Sequence, residues 1–234
     1  MIMEILDYLF NINNVAFVVP LAGFGTDTYA VSVLELWATV LGLICVIGAR
    51  MNKVWNYPIS IVNCIGSVAI FYQIQLYSDL MLNAYFIGMS IYGWYIWTRK
   101  DSTGRDTYEI RYMDIPNLSL LLVTIPLGTY FLGSNINEIF GTLGAMAAML
   151  LGTTYEHYPA SLPYWDAFTT VTSFAAMYLM ARRYVESWML WSIVNIVCIG
   201  LYTYKGVIAM SAEYAIFLVN SVYGIYQWHK AAKN

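Results

Sequence analysis

Charge is what this sequence most lacks. Of its 234 residues only 11% are Asp, Glu, Lys or Arg, while 60% are hydrophobic. A soluble globular domain carries about 25% charged residues, so a water-wetted surface around an ordinary core is excluded. The composition is that of a membrane protein. The net charge of -3 decides little, because in a membrane protein the placement of charge outweighs its sum. Cysteine is scarce as well. Cys45, Cys64 and Cys198 all fall inside apolar runs. An odd number, away from any watery loop, excludes a disulfide framework and a metal cluster, and leaves small packed thiols. The two histidines are scattered, His157 in a polar link and His229 near the end. There is no His-Glu-x-x-His run, no glycine-rich phosphate loop and no serine–histidine constellation. An enzyme, a bound metal and a cofactor are therefore not expected, and nothing points to nucleic acid. The start, Met-Ile-Met-Glu-Ile-Leu-Asp, has no basic n-region, so no cleavable signal peptide is expected.

What the chain has is long apolar runs. A spanning helix needs about 20 apolar residues. Seven runs meet or approach that length: Val31 to Ala49, Trp55 to Tyr72, Leu80 to Trp97, Ile115 to Leu132, Asp166 to Ala181, Trp188 to Tyr204 and Ala209 to Trp228. Ile5, Leu6, Leu9 and Ile12 recur at helical spacing, which suits a short helix on the membrane surface. Val15 to Leu21 is apolar but too short to span. Gly133-Ser-Asn-Ile-Asn137 is expected to break the fourth span. Ile139 to Leu151, with Gly144, Ala148 and Gly152 on one face, then forms a separate part-crossing or surface helix.

Basic residues set the orientation. Ten of the eleven follow the first, third, fifth or seventh span, and only Lys205 lies on the other side. By the positive-inside rule the first span starts outside and the C-terminus is cytoplasmic. The two halves also match in sequence. Ser60-Ile-Val-Asn63 returns as Ser192-Ile-Val-Asn195, and Ser90-Ile-Tyr-Gly-Trp-Tyr-Ile-Trp97 returns as Ser221-Val-Tyr-Gly-Ile-Tyr-Gln-Trp228. Glu35 matches Asp166 in the first turn of each half. The offset of 131 becomes 132 between Asn63 and Asn195, and compensating one-residue gaps between the spans reconcile the two. Matches in order and of equal orientation describe parallel repeats about an axis along the membrane normal, with a substrate site at their interface.

The expected fold is an all-α integral membrane protein of seven transmembrane helices, two parallel three-helix repeats joined by a linking helix. Its expected divisions are a surface segment at 1–28, a first repeat at 29–98, a cytoplasmic loop and linking helix at 99–137, a short helix and outer loop at 138–162, and a second repeat at 163–234.

Trp188, Trp191 and Asn195 sit at i, i+3 and i+7 of one helix face. Two indoles and an amide suit a pocket that stacks a flat ring and hydrogen-bonds its polar substituent. They equally suit an interface anchor, a core ring and an interhelical hydrogen bond. Asn63 and Asn195 lie about 11 Å into their helices, near mid-membrane, where polar groups face the bundle interior. In the repeat alignment Trp188 and Trp191 answer to Asn56 and Ile59, and Asn220 to Met89. That asymmetry fits a ligand with a ring at one end and hydroxyls at the other. Trp55, Trp97 and Trp228 at helix ends read as interface anchors. Tyr92-Gly93 and Tyr223-Gly224 read as close-packing or hinge positions. Glu35 and Asp166 are either helix N-terminal carboxylates or an entrance and proton-coupling pair.

Several motifs, in order, resemble the PnuC family of bacterial vitamin transporters. They are Gln73-Ile-Gln-Leu-Tyr77, Tyr92-Gly-Trp-Tyr95 with Trp97, Leu162-Pro-Tyr-Trp-Asp166, Tyr184-Val-Glu-Ser-Trp-Met-Leu-Trp191 with Asn195, and Glu213-Tyr214. The resemblance runs from about residue 30 to 228. It implies a multi-pass protein of the bacterial inner membrane that takes up a small vitamin, most often nicotinamide riboside. It implies facilitated diffusion, with a cytoplasmic kinase trapping the product by phosphorylation. A homo-oligomer is left open. On this reading Trp188 and Trp191 hold the pyridinium ring, where a cation over an indole gains about 0.5 to 2 kcal/mol, and Asn195 meets the carboxamide. The ribose hydroxyls meet Asn63, Gln73 or Asn83 and tyrosine hydroxyls, and Asn220, Tyr92 and Tyr223 complete the expected substrate-binding set. The family pattern commonly has Gln at the position of Asn83. Relatives carrying thiamine or riboflavin, and a proton-coupled transporter using Glu35 and Asp166, are the alternatives.

Overall fold

The computed structural model describes residues 2–20, 28–74, 77–100, 102, 104, 106–152, 154, 159–205 and 208–233. Gly23, Gly25, Glu156 and His157 lie outside them. Eight helices and one hairpin make up the described residues: α1 (Ile2–Phe10), β1 (Val15–Pro20), β2 (Thr28–Ser32), α2 (Val33–Arg50), α3 (Asn56–Gln73), α4 (Tyr77–Thr98), α5 (Ile115–Leu151), α6 (Pro163–Ala181), α7 (Glu186–Tyr204) and α8 (Ile208–Ala232). By length and composition α2, α5 and α7 are each apolar enough to cross a membrane.

Two elements differ from expectation. The fold is not purely helical, because Val15 to Pro20 pairs antiparallel with Thr28 to Ser32. The run Val-Ala-Phe-Val-Val is rich in β-branched and aromatic residues, which favour strands. A lone two-stranded hairpin is marginal. This one is tied down where the Val33 amide donates to the Asn14 carbonyl at 2.8 Å, and Ser32 and Glu35 then form a capping box that starts α2. The second difference is α5, one continuous helix of 37 residues across the expected break at 133–137. At 1.5 Å per residue it is about 55 Å long, well beyond a ~30 Å hydrocarbon core.

Helices α2, α3 and α4 pack in sequence, and so do α6, α7 and α8. The two sets meet where α4 lies on α6 and α8 on α2, and α5 packs on α6 and α4. Equivalent atoms make equivalent bonds in the two sets. Ser60 and Ser90 share a hydroxyl bond at 2.9 Å, as do Ser192 and Ser221. The Trp97 indole donates to Ala181 O at 3.1 Å, and the Trp228 indole to Arg50 O at 3.0 Å. Each set's first helix ends in a Schellman turn, closed by Lys53 N–H to Gly48 O and by Tyr184 N–H to Leu179 O, both 2.9 Å. Trp97 and Trp228 are therefore not interface anchors. Both are 1% exposed and bonded across the two sets.

The extra residue of the second set is placed by packing. Tyr57 lies against Gly93 and edge-on to Trp97, as Trp188 lies against Gly224 and edge-on to Trp228. Trp188 thus answers to Tyr57 and not to Asn56. The insertion falls within the first two turns of α7, between Trp188 and Ser192, and not between the helices. Trp191 sits in that longer step.

The turns at the basic end share a backbone shape but not a sequence. The left-handed position is Asn52 (φ 54) in the first and Arg183 (φ 60) in the second. A left-handed backbone costs a β-carbon residue about 1 to 2 kcal/mol. At Arg183 it is offset by contacts to the loop before α5. The guanidinium meets Asp106 at 2.9 Å and lies 4.6 Å from the Trp97 ring centroid. The loop is also bonded to the turn, through Arg111 N–H to Arg183 O at 3.1 Å and Val185 N–H to Arg111 O at 3.0 Å. Its hydrogen bond to Lys100, with Arg183 beside it, holds the Asp106 carboxyl below the usual carboxylate range. This contribution is present at neutral pH and is lost only on strong acidification.

Candidate functional site

A cavity of about 240 Å³ lies between the two helix sets. Its floor is at the basic end, where α2 and α6 finish and α3 and α7 begin: Ala49, Met180, Tyr57 and Trp188. Asn63, Asn195 and Trp191 form its middle. Its other end is Asn83 and Phe86 of α4, facing Tyr214 and Phe217 of α8. Among the described residues the wall carries no charged side chain.

Six of the nine residues expected at the site meet here: Trp188, Trp191, Asn195, Asn63, Asn83 and Asn220. They are not equally free. Trp188 is 2% exposed and packs its ring on Gly224, so only part of it reaches the cavity. Trp191 is half-buried and meets Phe86 edge-on at 6.1 Å. Asn195 donates to Ser221 Oγ at 3.5 Å, the outer limit of a hydrogen bond, which leaves its amide available. Asn63 donates from Nδ2 to Ala38 O at 2.7 Å and its Oδ1 accepts weakly from Cys64 Sγ at 4.0 Å, so less of its amide is open to a ligand than that of Asn195. Asn83 donates to Asp79 O at 2.9 Å. Asn220 donates to Val46 O at 3.4 Å, and its buried Oδ1 has no protein partner.

Three expected residues stand elsewhere. Gln73 closes the far end of α3, accepting from Ile12 N–H at 3.0 Å and donating to Phe10 O at 2.7 Å, and so fastens α1. Tyr92 accepts from Arg182 at 3.2 Å. Tyr223 is 53% exposed and lies under the Arg50 guanidinium, 5.0 Å from its ring centroid. Glu35 and Asp166 also stand apart from the cavity. Glu35 accepts from Ser32 N–H and Oγ at 2.8 Å each and from Tyr29 OH at 2.7 Å. Burial, and the bond to Glu35, push the Tyr29 phenol up to about 12, so it stays a donor at neutral pH. Asp166 pairs with Lys205 at 3.2 Å.

The sequence reading missed Tyr57, Asn56, Phe86, Phe217 and Tyr214. Phe86 and Phe217 were open to discovery, being 131 residues apart in aligned helices. Asn56 is 3% exposed and bonds Lys53 O at 2.6 Å; its position at a helix start gave no hint of a cavity.

Comparison with known proteins agrees with this architecture. The family model described as "Nicotinamide mononucleotide transporter" matches residues 32–230. The nicotinamide riboside transporter PnuC of Escherichia coli K12 is 35% identical, over 96% of this chain and 95% of its own. PnuC of Neisseria mucosa is 27% identical over 90% of this chain and 75% of its own. The riboflavin/roseoflavin transporter RibM of Streptomyces davaonensis is 23% identical over 83% of each. The crystal structure of a vitamin B3 transporter PnuC superposes with a TM-score of 0.62 at 25% identity, covering 86% of this chain and 82% of that one. The chain belongs to the nicotinamide mononucleotide transporter family.

Proposed function

We propose that this protein carries nicotinamide riboside into the bacterial cell across the inner membrane. Helices α2–α4 and α6–α8 act as two parallel repeats and α5 links them, seven spans in all. Transport is facilitated diffusion, and a cytoplasmic kinase traps the product by phosphorylation. The observation that carries the reading is the cavity, whose wall pairs indole and phenyl rings with five asparagines and, among the described residues, holds no charge. A pyridinium cation is attracted to an aromatic face without a carboxylate, and side-chain amides both donate to and accept from a carboxamide and hydroxyls. A phosphorylated ligand would find no cationic partner there. About 240 Å³ lies below the 300 to 1,000 Å³ common for drug-sized ligands, which favours one small ring and one sugar over a fused three-ring vitamin.

Vesicles holding the purified protein and no kinase should equilibrate radiolabelled nicotinamide riboside without concentrating it, and excess riboflavin should compete poorly. Glu35 is consumed by a capping box and Asp166 by an ion pair, so Glu35→Gln and Asp166→Asn should leave uptake uncoupled from a proton gradient. Gradient-driven accumulation that either variant abolishes would support the coupled alternative; strong competition by riboflavin would reassign the substrate.

The bias of the basic residues supports a cytoplasmic C-terminus. A reporter fused after Lys233 should be active only as a cytoplasmic marker. Activity on the outer side overturns the orientation and the parallel repeats with it.

A further inference from the structure

Two rings of the cavity floor, Tyr57 and Trp188, end a chain of four that continues behind it through Trp97 and Trp228. Centroids are 4.9 Å apart from Tyr57 to Trp97, 6.0 Å from Trp97 to Trp228 and 5.7 Å from Trp228 to Trp188. The chain runs from α3 through α4 and α8 to α7, so it passes from one helix set to the other. Its end members, Tyr57 and Trp188, are cavity wall. A solute leaving through the basic end has to pass where these rings lie.

The two central indoles also bond across the sets. Trp97 Nε1–H joins α4 to the last residue of α6 through Ala181 O, and Trp228 Nε1–H joins α8 to the last residue of α2 through Arg50 O. Carbonyls in a helix's last turn have no intrahelical N–H partner. Ala181 is 1% exposed in this closed arrangement, so water can take the indole's place there only as that end opens, and the opening itself then supplies the replacement partner. An indole close to a helix end is also at home at a membrane interface, so each freed ring has somewhere to go. A static core contact needs neither property.

We propose that Trp97 and Trp228 are the latch of the gate at the basic end, and that the cavity opens there when their indole N–H bonds to Ala181 and Arg50 break. The inference rests on the transport reading above and assigns to it the residues that close one side. The two halves of the latch are unequal. Trp97 is also held beneath the Arg183 guanidinium, which Asp106 anchors, while the residue equivalent to Arg183 in the other set is Asn52.

Native thiols report on the latch. Cys45 and Cys64 line the cavity and Cys198 is not part of its wall, so the full chain with Cys198→Ala, in vesicles of each orientation, is treated with a membrane-impermeant sulfonated maleimide. Trp97→Phe and Trp228→Phe keep a ring and remove the donor. Each should speed labelling of Cys45 and Cys64 from the basic face by roughly two- to tenfold, the change expected for one hydrogen bond, with the larger effect at Trp228. Labelling from the opposite face should not change, and Trp94→Phe, at a 41% exposed position on α4, should match the parent. Where a Phe variant fails to fold, benzothienylalanine at the same position keeps the bicyclic ring and removes only the N–H. Unchanged labelling from the basic face overturns the latch, and so does an equal rise from both faces. Protection of the two thiols by nicotinamide riboside in the parent tests the transport reading on its own: its absence overturns that reading, while the face-dependent ratio in the variants still decides the latch.

Discussion

Gly224→Ala is expected to lower both thermal stability and affinity for nicotinamide riboside. A β-carbon at Gly224 would stand 2.4 Å from Cδ2 and 2.6 Å from Cε3 of Trp188. Those atoms belong to a rigid bicycle that is 2% exposed and has Trp228 edge-on behind it, so the ring cannot swing away cheaply. Overpacking of this kind costs about 1 to 3 kcal/mol. Much of the displacement has to go toward the cavity, which Trp188 lines. Affinity should therefore fall by at least about tenfold, the equivalent of 1.4 kcal/mol. Gly93→Ala meets Tyr57 at 2.3 Å in the same way and should cost similar stability. The controls are Gly88→Ala and Gly200→Ala, where nothing lies within 4 Å of the new carbon. In a helix such changes are favourable by about 0.5 to 1 kcal/mol, so those two should be neutral or slightly more stable. Thermal unfolding in detergent and ligand titration read both quantities. A Gly224→Ala protein that behaves like Gly88→Ala would mean the close contact of Gly224 with Trp188 has no functional weight.

The helices were legible in the sequence where apolar length and basic residues agreed. Val31 to Ala49 became Val33–Arg50, and Trp188 to Tyr204 became Glu186–Tyr204. The break expected at Gly133-Ser-Asn-Ile-Asn137 was not there. Serine and asparagine disrupt helices by competing for backbone groups. Here Ser134 Oγ donates to Tyr130 O at 2.6 Å and Asn135 Nδ2 to Phe131 O at 2.8 Å, so the polar groups bond back along the helix and it continues. The hairpin was missed because its first strand was weighed only for its power to span a bilayer, while its partner strand lay beyond a glycine-rich stretch.

Within the cavity, the i, i+3, i+7 stripe of Trp188, Trp191 and Asn195 could be read because a helix face is a local property. Gln73, Tyr92 and Tyr223 could not be placed, since their positions are decided by Phe10, Arg182 and Arg50, all distant in sequence. Trp97 and Trp228 were misjudged for the same reason. Their place at helix ends is visible in the sequence, but the carbonyls they reach across to are not.

Trp191→Ala and Asn195→Leu are expected to weaken nicotinamide riboside binding most among single changes to the cavity's middle. Trp191 packs against both core clusters and stands T-shaped to Phe86, yet it is only half-buried, so its ring has surface left for a ligand, unlike Trp188. A base-to-aromatic stack is worth about 1 to 3 kcal/mol in nucleic-acid binders, which corresponds to roughly five- to 150-fold in affinity. Trp191→Phe keeps a smaller π face and should recover part of the loss. Asn195→Leu removes an amide whose protein bond, at 3.5 Å to Ser221, is weak enough to yield to a ligand. A bound carboxamide then goes unpaired in the interior, at about 1 to 3 kcal/mol. Asn63→Leu should separate from it. Its Nδ2 is committed to Ala38 O at 2.7 Å, so most of its loss should appear as stability, about 0.5 to 1.5 kcal/mol, with a smaller effect on affinity. Gln73→Ala, whose bonds are to the backbone of Phe10 and Ile12, should loosen α1 and leave affinity unchanged. Titration of each folded variant with nicotinamide riboside and with free nicotinamide separates the ring from the sugar: Trp191→Ala and Asn195→Leu should lose affinity for both. Folded Trp191→Ala and Asn195→Leu proteins that bind as tightly as the parent would place the ring outside this stripe, and the uncharged aromatic wall would then be packing between the two helix sets.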